Sequence, residues 1–259
     1  MSKENCHKEK GTNMFKKLKA SLGIGAAKVD TVLDNESVYQ GAMLTGTIHI
    51  KGGDIEQQVD AISLKLCTEV KVESDDSVSY QNFILGSMQA VDPFVIQPGE
   101  ERSISFDMPL HDETPITAVS ANYNQSKVWV ETSLDIDFAI DPTDRDYLEI
   151  RPLPAVQRVI SLLESEGYRM VKADVEQGQL NGNGFSSRSG CYQELEFQNS
   201  GFFSKKEIEL SFILDGDRIH CLAEIDRAMG RGDMYRSFTI SRNASDAEVQ
   251  QALSSTLGV

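Results

Sequence analysis

Apolar and polar residues alternate along much of this chain with a period of two, the pattern of a strand that buries one face. The clearest run lies at Val128, Val130, Thr132, Leu134, Ile136, Phe138 and Ile140, with Trp129, Glu131, Ser133, Asp135 and Asp137 between them. It predicts a long antiparallel strand over 128–140, with the first set in a core and the second, Trp129 included, facing solvent. In "HIKGGDIEQQVDAISLKL", His49 to Leu66, Ile50 precedes a Gly-Gly break and Ile62, Leu64 and Leu66 follow it, which predicts strand, turn, strand. Ile104, Phe106 and Met108 repeat the pattern after "QPGEE", where Pro98-Gly99 suits a turn. Runs at about 29–34, 43–51, 60–72, 78–86 and 90–96 bring the first half to seven or more strands.

The segment "DPTDRDYLEIRPLP" carries three prolines, which remove backbone donors and predict an end to both ladder and helix. A chain of 259 residues exceeds the usual size of one core, so the boundary between two domains, 26–145 and 146–259, is placed there. Val156, Val159, Ile160 and Leu163 then form one face of a short linking helix that Pro154 starts. Beyond it, Ile208, Leu210, Phe212 and Leu214 alternate into "DGD", and Ile219, Cys221, Ala223 and Ile225 alternate out, which predicts a hairpin turning at Asp215-Gly216. Ser245 and Glu248 have capping-box spacing ahead of the stripe Val249, Ala252, Leu253 and Leu257, a C-terminal helix. "GQLNGNGFSSRSG", 178–190, has little apolar surface and predicts a mobile hairpin loop. The fold class is all-β, with a linking helix and a terminal helix.

The formal charge of −15 excludes nucleic acid as a partner, because that binding depends on lysine and arginine displacing counterions from phosphates. The charge is uneven: residues 1–28 are net +5, residues 29–152 net −16 and residues 153–259 net −4. Cys6, Cys67, Cys191 and Cys221 form no close pair, and the N-terminus lacks the apolar stretch of a secretory signal, so a reduced cytoplasmic setting is expected. No apolar run is long enough to span a membrane.

Candidate chemistry is sparse. His220 and Cys221 are adjacent, but neighbouring strand residues point to opposite faces, so they predict a surface histidine and a buried thiol rather than a metal pair. "GFSSRSG" lacks the G-x-S-x-G spacing of a nucleophile elbow. Asp141, Asp144 and Asp146 lack the glycine and closing glutamate of a calcium loop, and Gly178, Gly182 and Gly184 precede no helix. The sequence therefore predicts no catalytic residue, no metal and no cofactor. "MFKKLKASLGIGAAK" differs: Phe15, Leu18 and Leu22 share a helical face and Lys16, Lys17 and Lys19 lie off it. This basic arm, residues 1–25, suits an anionic lipid surface, an acidic protein surface, or the chain's own acidic body.

"MFKKLKASLGIGAAKVDTVLD", "GTIHIKGGDIEQQVDAISLKL", "PFVIQPGEERSISFDMPL", "WVETSLDIDFAIDPTDRDYLEIRPLP" and "CLAEIDRAMG", in that order, resemble the sporulation-control protein family, the Spo-zero-M proteins. The resemblance runs from about Met14 to near the C-terminus. It implies an arrestin-like fold of two β-sandwich domains, and a regulatory protein that binds other proteins without catalysing a reaction, at the inner face of the membrane or in the cytoplasm. It also implies a polar contact between the domains, for which Asp30 and Arg145 are the candidates, with Asp144 and Asp146 as rivals for the same arginine. The competing function is a carbohydrate-binding or hydrolytic sandwich using surface carboxylates and aromatics such as Trp129 and Tyr147. A concave pocket with convergent polar groups distinguishes the two.

Overall fold

A computed structural model describes residues 25–74, 77–137, 140–199, 206–227 and 234–258. The first part holds β1 (Lys28–Leu33), β2 (Ser37–Tyr39), β3 (Met43–Lys51), β4 (Gln57–Ser74), β5 (Ser77–Val91), β6 (Phe94–Ile96) and β7 (Glu101–Pro109). β8 (Tyr123–Asn124), β9 (Val128–Ile136), β10 (Thr143–Tyr147) and β11 (Glu149–Arg151) follow. After helix α1 (Pro154–Ser165) come β12 (Tyr168–Gln177), β13 (Cys191–Asn199), β14 (Lys206–Asp215), β15 (Arg218–Arg227) and β16 (Met234–Ser241), and helix α2 (Asp246–Leu257) closes the chain.

A small sheet, β1-β3-β7, packs on a large one in the order β10-β9-β4-β12-β13-β14-β15-β16, with β5 and β6 beside β4 and β8 beside β12. Leu44, Ile48, Ile50 and Phe106 of the small sheet meet Ile62, Leu64, Leu66 and Leu134 of the large one in a sandwich core. The second core lies further along the large sheet. Leu195, Phe197, Leu210, Ile219 and Cys221 line one face, and α1 and α2 cover it with Val156, Val159, Leu163, Val249 and Leu253. Their apolar stripes occupy the place a second sheet would take.

The local expectations hold at both helices. Pro154 opens α1, and in α2 the Ser245 hydroxyl accepts from Glu248 N while the Glu248 carboxylate accepts from Ser245 N at 2.7 Å. At the hairpin, Asp215 pairs with Arg218, so the turn residues are Gly216 and Asp217, with Gly216 at φ 59°.

Four expectations change. β9 ends at Ile136, whose N–H donates to Asp141 Oδ1 at 3.2 Å, and the chain reverses there. The expected linker is instead part of the sheets: β10 pairs with β9, β11 pairs in parallel with β2, and Leu148 and Ile150 enter the first core. Only Pro152-Leu153-Pro154 breaks the ladder, because Pro142 precedes β10, an edge strand that tolerates a missing donor. Trp129 is buried rather than exposed, since Arg145 and Tyr147 of the neighbouring β10 lie over it. The 178–190 loop is ordered by its own hydrogen bonds. Leu180 N donates to the buried Ser187 hydroxyl at 2.8 Å, Ser187 N to Leu180 O at 2.9 Å, and Gly182 N to Phe185 O at 2.9 Å.

The core register is testable at adjacent positions. Leu134→Ala is expected to cost about 3 kcal/mol of unfolding free energy, whereas Asp135→Ala, on the exposed face, should stay within about 0.5 kcal/mol of the parent in urea melts.

Candidate functional site

The charges that join the two cores lie where β4 meets β12. Lys71 is 14% exposed, and its ammonium is 2.8 Å from Glu176 and 3.9 Å from the buried Asp174, with Glu73 as a third partner. Lys172 neutralises Asp174 from its other side at 2.6 Å. Burial alone would lower the Lys71 pKa, but the hydrogen bonds that its ammonium donates to Glu176 and Glu73 carry it above its ordinary value. Glu176 is itself held above its ordinary value by burial, although Lys71 pulls it down.

The aspartates and arginine expected in this role lie elsewhere. On β10 successive side chains face opposite ways, so Asp144 and Asp146 separate from Arg145. Arg145 binds Glu131 at 3.2 Å and covers the Trp129 ring at 4.7 Å, both within the first core's sheet. Asp144 accepts from Thr31 N at 2.6 Å, fastening β1 to the large sheet, and Asp30 is exposed nearby. Asp146 is pushed up to about 6, first by burial and then by Asp144 and Asp30. The candidate arm residues Phe15, Lys16, Lys17, Leu18, Lys19 and Leu22 fall outside the described residues.

A cleft of about 640 Å³ opens where the loop after β7, the 178–190 loop and the β14–β15 hairpin converge. Its walls carry Asp112, Glu113, Arg188, Asp215 and His220. Glu113 accepts from the backbone N–H groups of Arg188 at 2.8 Å and Ser189 at 2.8 Å, which anchors the 178–190 loop to the strap after β7, residues 110–122. His220 is buried, correcting its expected surface position, because Phe185 stacks on it at 4.7 Å and its Nδ1 bonds Thr239 Oγ1 at 2.8 Å. Cys221 faces the core on the opposite side, as strand alternation requires. No signal in the sequence brought Phe185 to His220, because loop closure over 35 residues is a tertiary event.

Beside the second core, the face of the large sheet opposite α1 and α2 is a field of carboxylates. Glu194 is pushed up to about 8 by burial, then by Glu209 and Glu176, and Glu209 to about 7 by burial, then by Glu224 and Glu196. Asp174, Glu176 and Glu194 converge closely enough to share a cation, as do Glu196, Glu207 and Glu209. In the first group Lys71 and Lys172 already supply the positive charge, and in the second Gln198 donates to both Glu196 and Glu207. This field was legible in outline: once Ile208 and Leu210 point inward, Glu207 and Glu209 must point outward.

Two predictions follow from these charges. Lys71→Ala should destabilise the protein by about 3 kcal/mol by leaving buried acids unpaired, whereas Arg145→Ala, on a 40% exposed side chain, should cost less than about 1 kcal/mol. For Glu194 and Glu209 the folded pKa lies above the unfolded one, so their stabilisation is complete below about pH 4.5 and is lost as pH rises through 7 to 8. Glu194→Gln should therefore be more stable than the parent above pH 8, by on the order of 2 kcal/mol, and flatten the pH dependence of denaturant melts.

The family model described as "SpoOM protein" matches residues 15–229. The sporulation-control protein spo0M of Bacillus subtilis (strain 168) is 38% identical over 218 residues, covering 83% of this chain and 81% of that one. The crystal structure of Spo0M from Bacillus subtilis superposes with a TM-score of 0.74 at 30% identity, over 88% of this chain and 94% of that one. The all-β, arrestin-like architecture expected from the sequence is thus the architecture of a solved relative. The chain belongs to the Spo0M family of sporulation-control proteins.

Proposed function

We propose that this chain is a non-catalytic regulatory protein of the cytoplasm that acts by binding other proteins. Its relationship to a sporulation-control protein supports a regulatory role. The observation that carries the binding reading is the state of the polar groups in the cleft. Glu113 is committed to backbone N–H groups, His220 to Thr239 and Phe185, and Asp215 to Arg218 at 3.2 Å, so the groups able to do acid–base work already have structural duties. Asp112 and Arg188, both exposed, the latter only 3.9 Å from Asp215, form a charged rim able to orient a partner without reacting with it. The competing carbohydrate platform loses its main aromatic, because Trp129 is buried. The basic arm provides a second contact, to an acidic protein or to anionic lipid.

Tagged protein, cross-linked in a spore-forming Bacillus and purified, should retain a reproducible set of proteins that Asp112→Lys and Arg188→Glu release. An identical set from parent and variants would remove the cleft from the reading, and no set above an untagged control would end it. Removing residues 1–24 should abolish flotation with anionic vesicles at low salt. Equal flotation with and without the arm would exclude the lipid contact.

A further inference from the structure

Sheet edges expose unpaired backbone donors and acceptors, and proteins ordinarily blunt them with charge, proline or brevity. Four of the edges here follow that rule. β1 carries Lys28 and Asp30, β7 carries Glu101, Arg102, Asp107 and Pro109, β10 carries Asp144, Arg145 and Asp146, and β6 has three residues. β5 does not follow it. From Ser77 to Val91 it contains no charged residue and no proline, in a chain whose formal charge is −15. It pairs with β4 on one side, and among the described residues no strand pairs with its other side.

The part of β5 farthest from the core is also the most regular. Register with β4 is unbroken from Ser77–Ser74 to Ile84–Cys67, and irregularities begin only beyond Ile84. Along these residues Val78 is 55% exposed, Ile84 54% and Tyr80 43%, the last with its hydroxyl donating to Gln125. Burial cannot explain an apolar, uncharged choice at such positions, because packing does not hold them.

We infer that the free edge of β5 pairs with the β5 edge of a second copy, antiparallel about a two-fold axis, extending the sheet across a homodimer. The occupant follows from charge. Two copies of a chain of net charge −15 repel wherever acidic surfaces meet, but antiparallel β5 strands place neutral residues opposite neutral residues. A two-fold contact of this kind closes on itself, so it gives a dimer and not a fibre. With eight regular residues per strand the contact falls below the usual size of a stable interface, so association is weak and opposed by the bodies' charge. This names one partner for the protein-binding regulator proposed above and rests on that reading only in treating the surface as functional, since it is tested on purified protein alone.

Sedimentation velocity across salt concentrations is the test. At high protein concentration a dimer should grow in as salt is raised toward about 1 M, where screening shortens to about 3 Å. Val78→Lys with Ile84→Lys should return the protein to monomer by opposing lysines across the axis. The same change makes the chain less acidic, so a general charge effect would act the other way. Val32→Lys, exposed on β1, should leave the dimer intact and serves as the control for added lysine. Melts of each variant should match the parent, since the positions are exposed. A parent that stays monomeric at high concentration and high salt overturns self-pairing and leaves the edge to a strand from another protein. A dimer that persists unchanged in the β5 double variant also overturns it, by placing the interface elsewhere.

Discussion

Lys71 is the constraint on which the arrangement depends. It is the cation where β4, the longest strand of the first core, pairs with β12, which leads into the second. That pairing is parallel and is recorded at one residue pair, Glu176 with Lys71, so the backbone ladder contributes little there. The ion pairs to Glu176 and Asp174 supply the rest, and their low exposure makes each carboxylate costly without its cation. Once β12 is fixed against β4, the strap after β7 can reach the second core. Gln193 on β13 then holds that strap by accepting from Ile116 N at 2.8 Å and donating to Ile116 O at 2.6 Å.

The same junction explains the uneven distribution of charge. Two lysines, Lys71 and Lys172, serve a sheet face on which Asp174, Glu176, Glu194, Glu196, Glu207 and Glu209 gather, and they sit at one end of it. Neutralisation is therefore fuller near β12 than toward β14. Glu194 and Glu209 respond by holding their protons near neutral pH. The opposite face of this sheet has no such option, because α1 and α2 press Val159, Leu163, Val249 and Leu253 into it. One sheet thus separates a dry core from a proton-holding surface, and strand alternation is the whole cause.

The cleft arises from loops that each serve another purpose. The strap bridges the cores, the 178–190 loop covers His220 with Phe185, and the β14–β15 hairpin carries Asp215 to the rim. Their meeting creates a concavity at a boundary between cores, a common position for recognition sites.

The sequence by itself determined every feature with a local cause. Alternation of period two placed Leu134, Ile208, Leu210 and Cys221 in cores, spacing of three and four residues gave both helices, and Ser245 with Glu248 specified a cap whose groups are three residues apart. Ordered motifs carried the family and its all-β fold. Tertiary structure alone decided what depended on distant partners. Trp129 is buried because β10 folds back beside β9, and proline content could not forecast that return because an edge strand tolerates a missing donor. The 178–190 loop is ordered because Ser187 meets Leu180 and Glu113 meets Arg188, contacts that no composition reveals. The inter-core cation is Lys71 rather than Arg145, because a single residue of strand phase sends Arg145 to the face away from Asp144 and Asp146, and that phase has consequences only when the sheet is assembled.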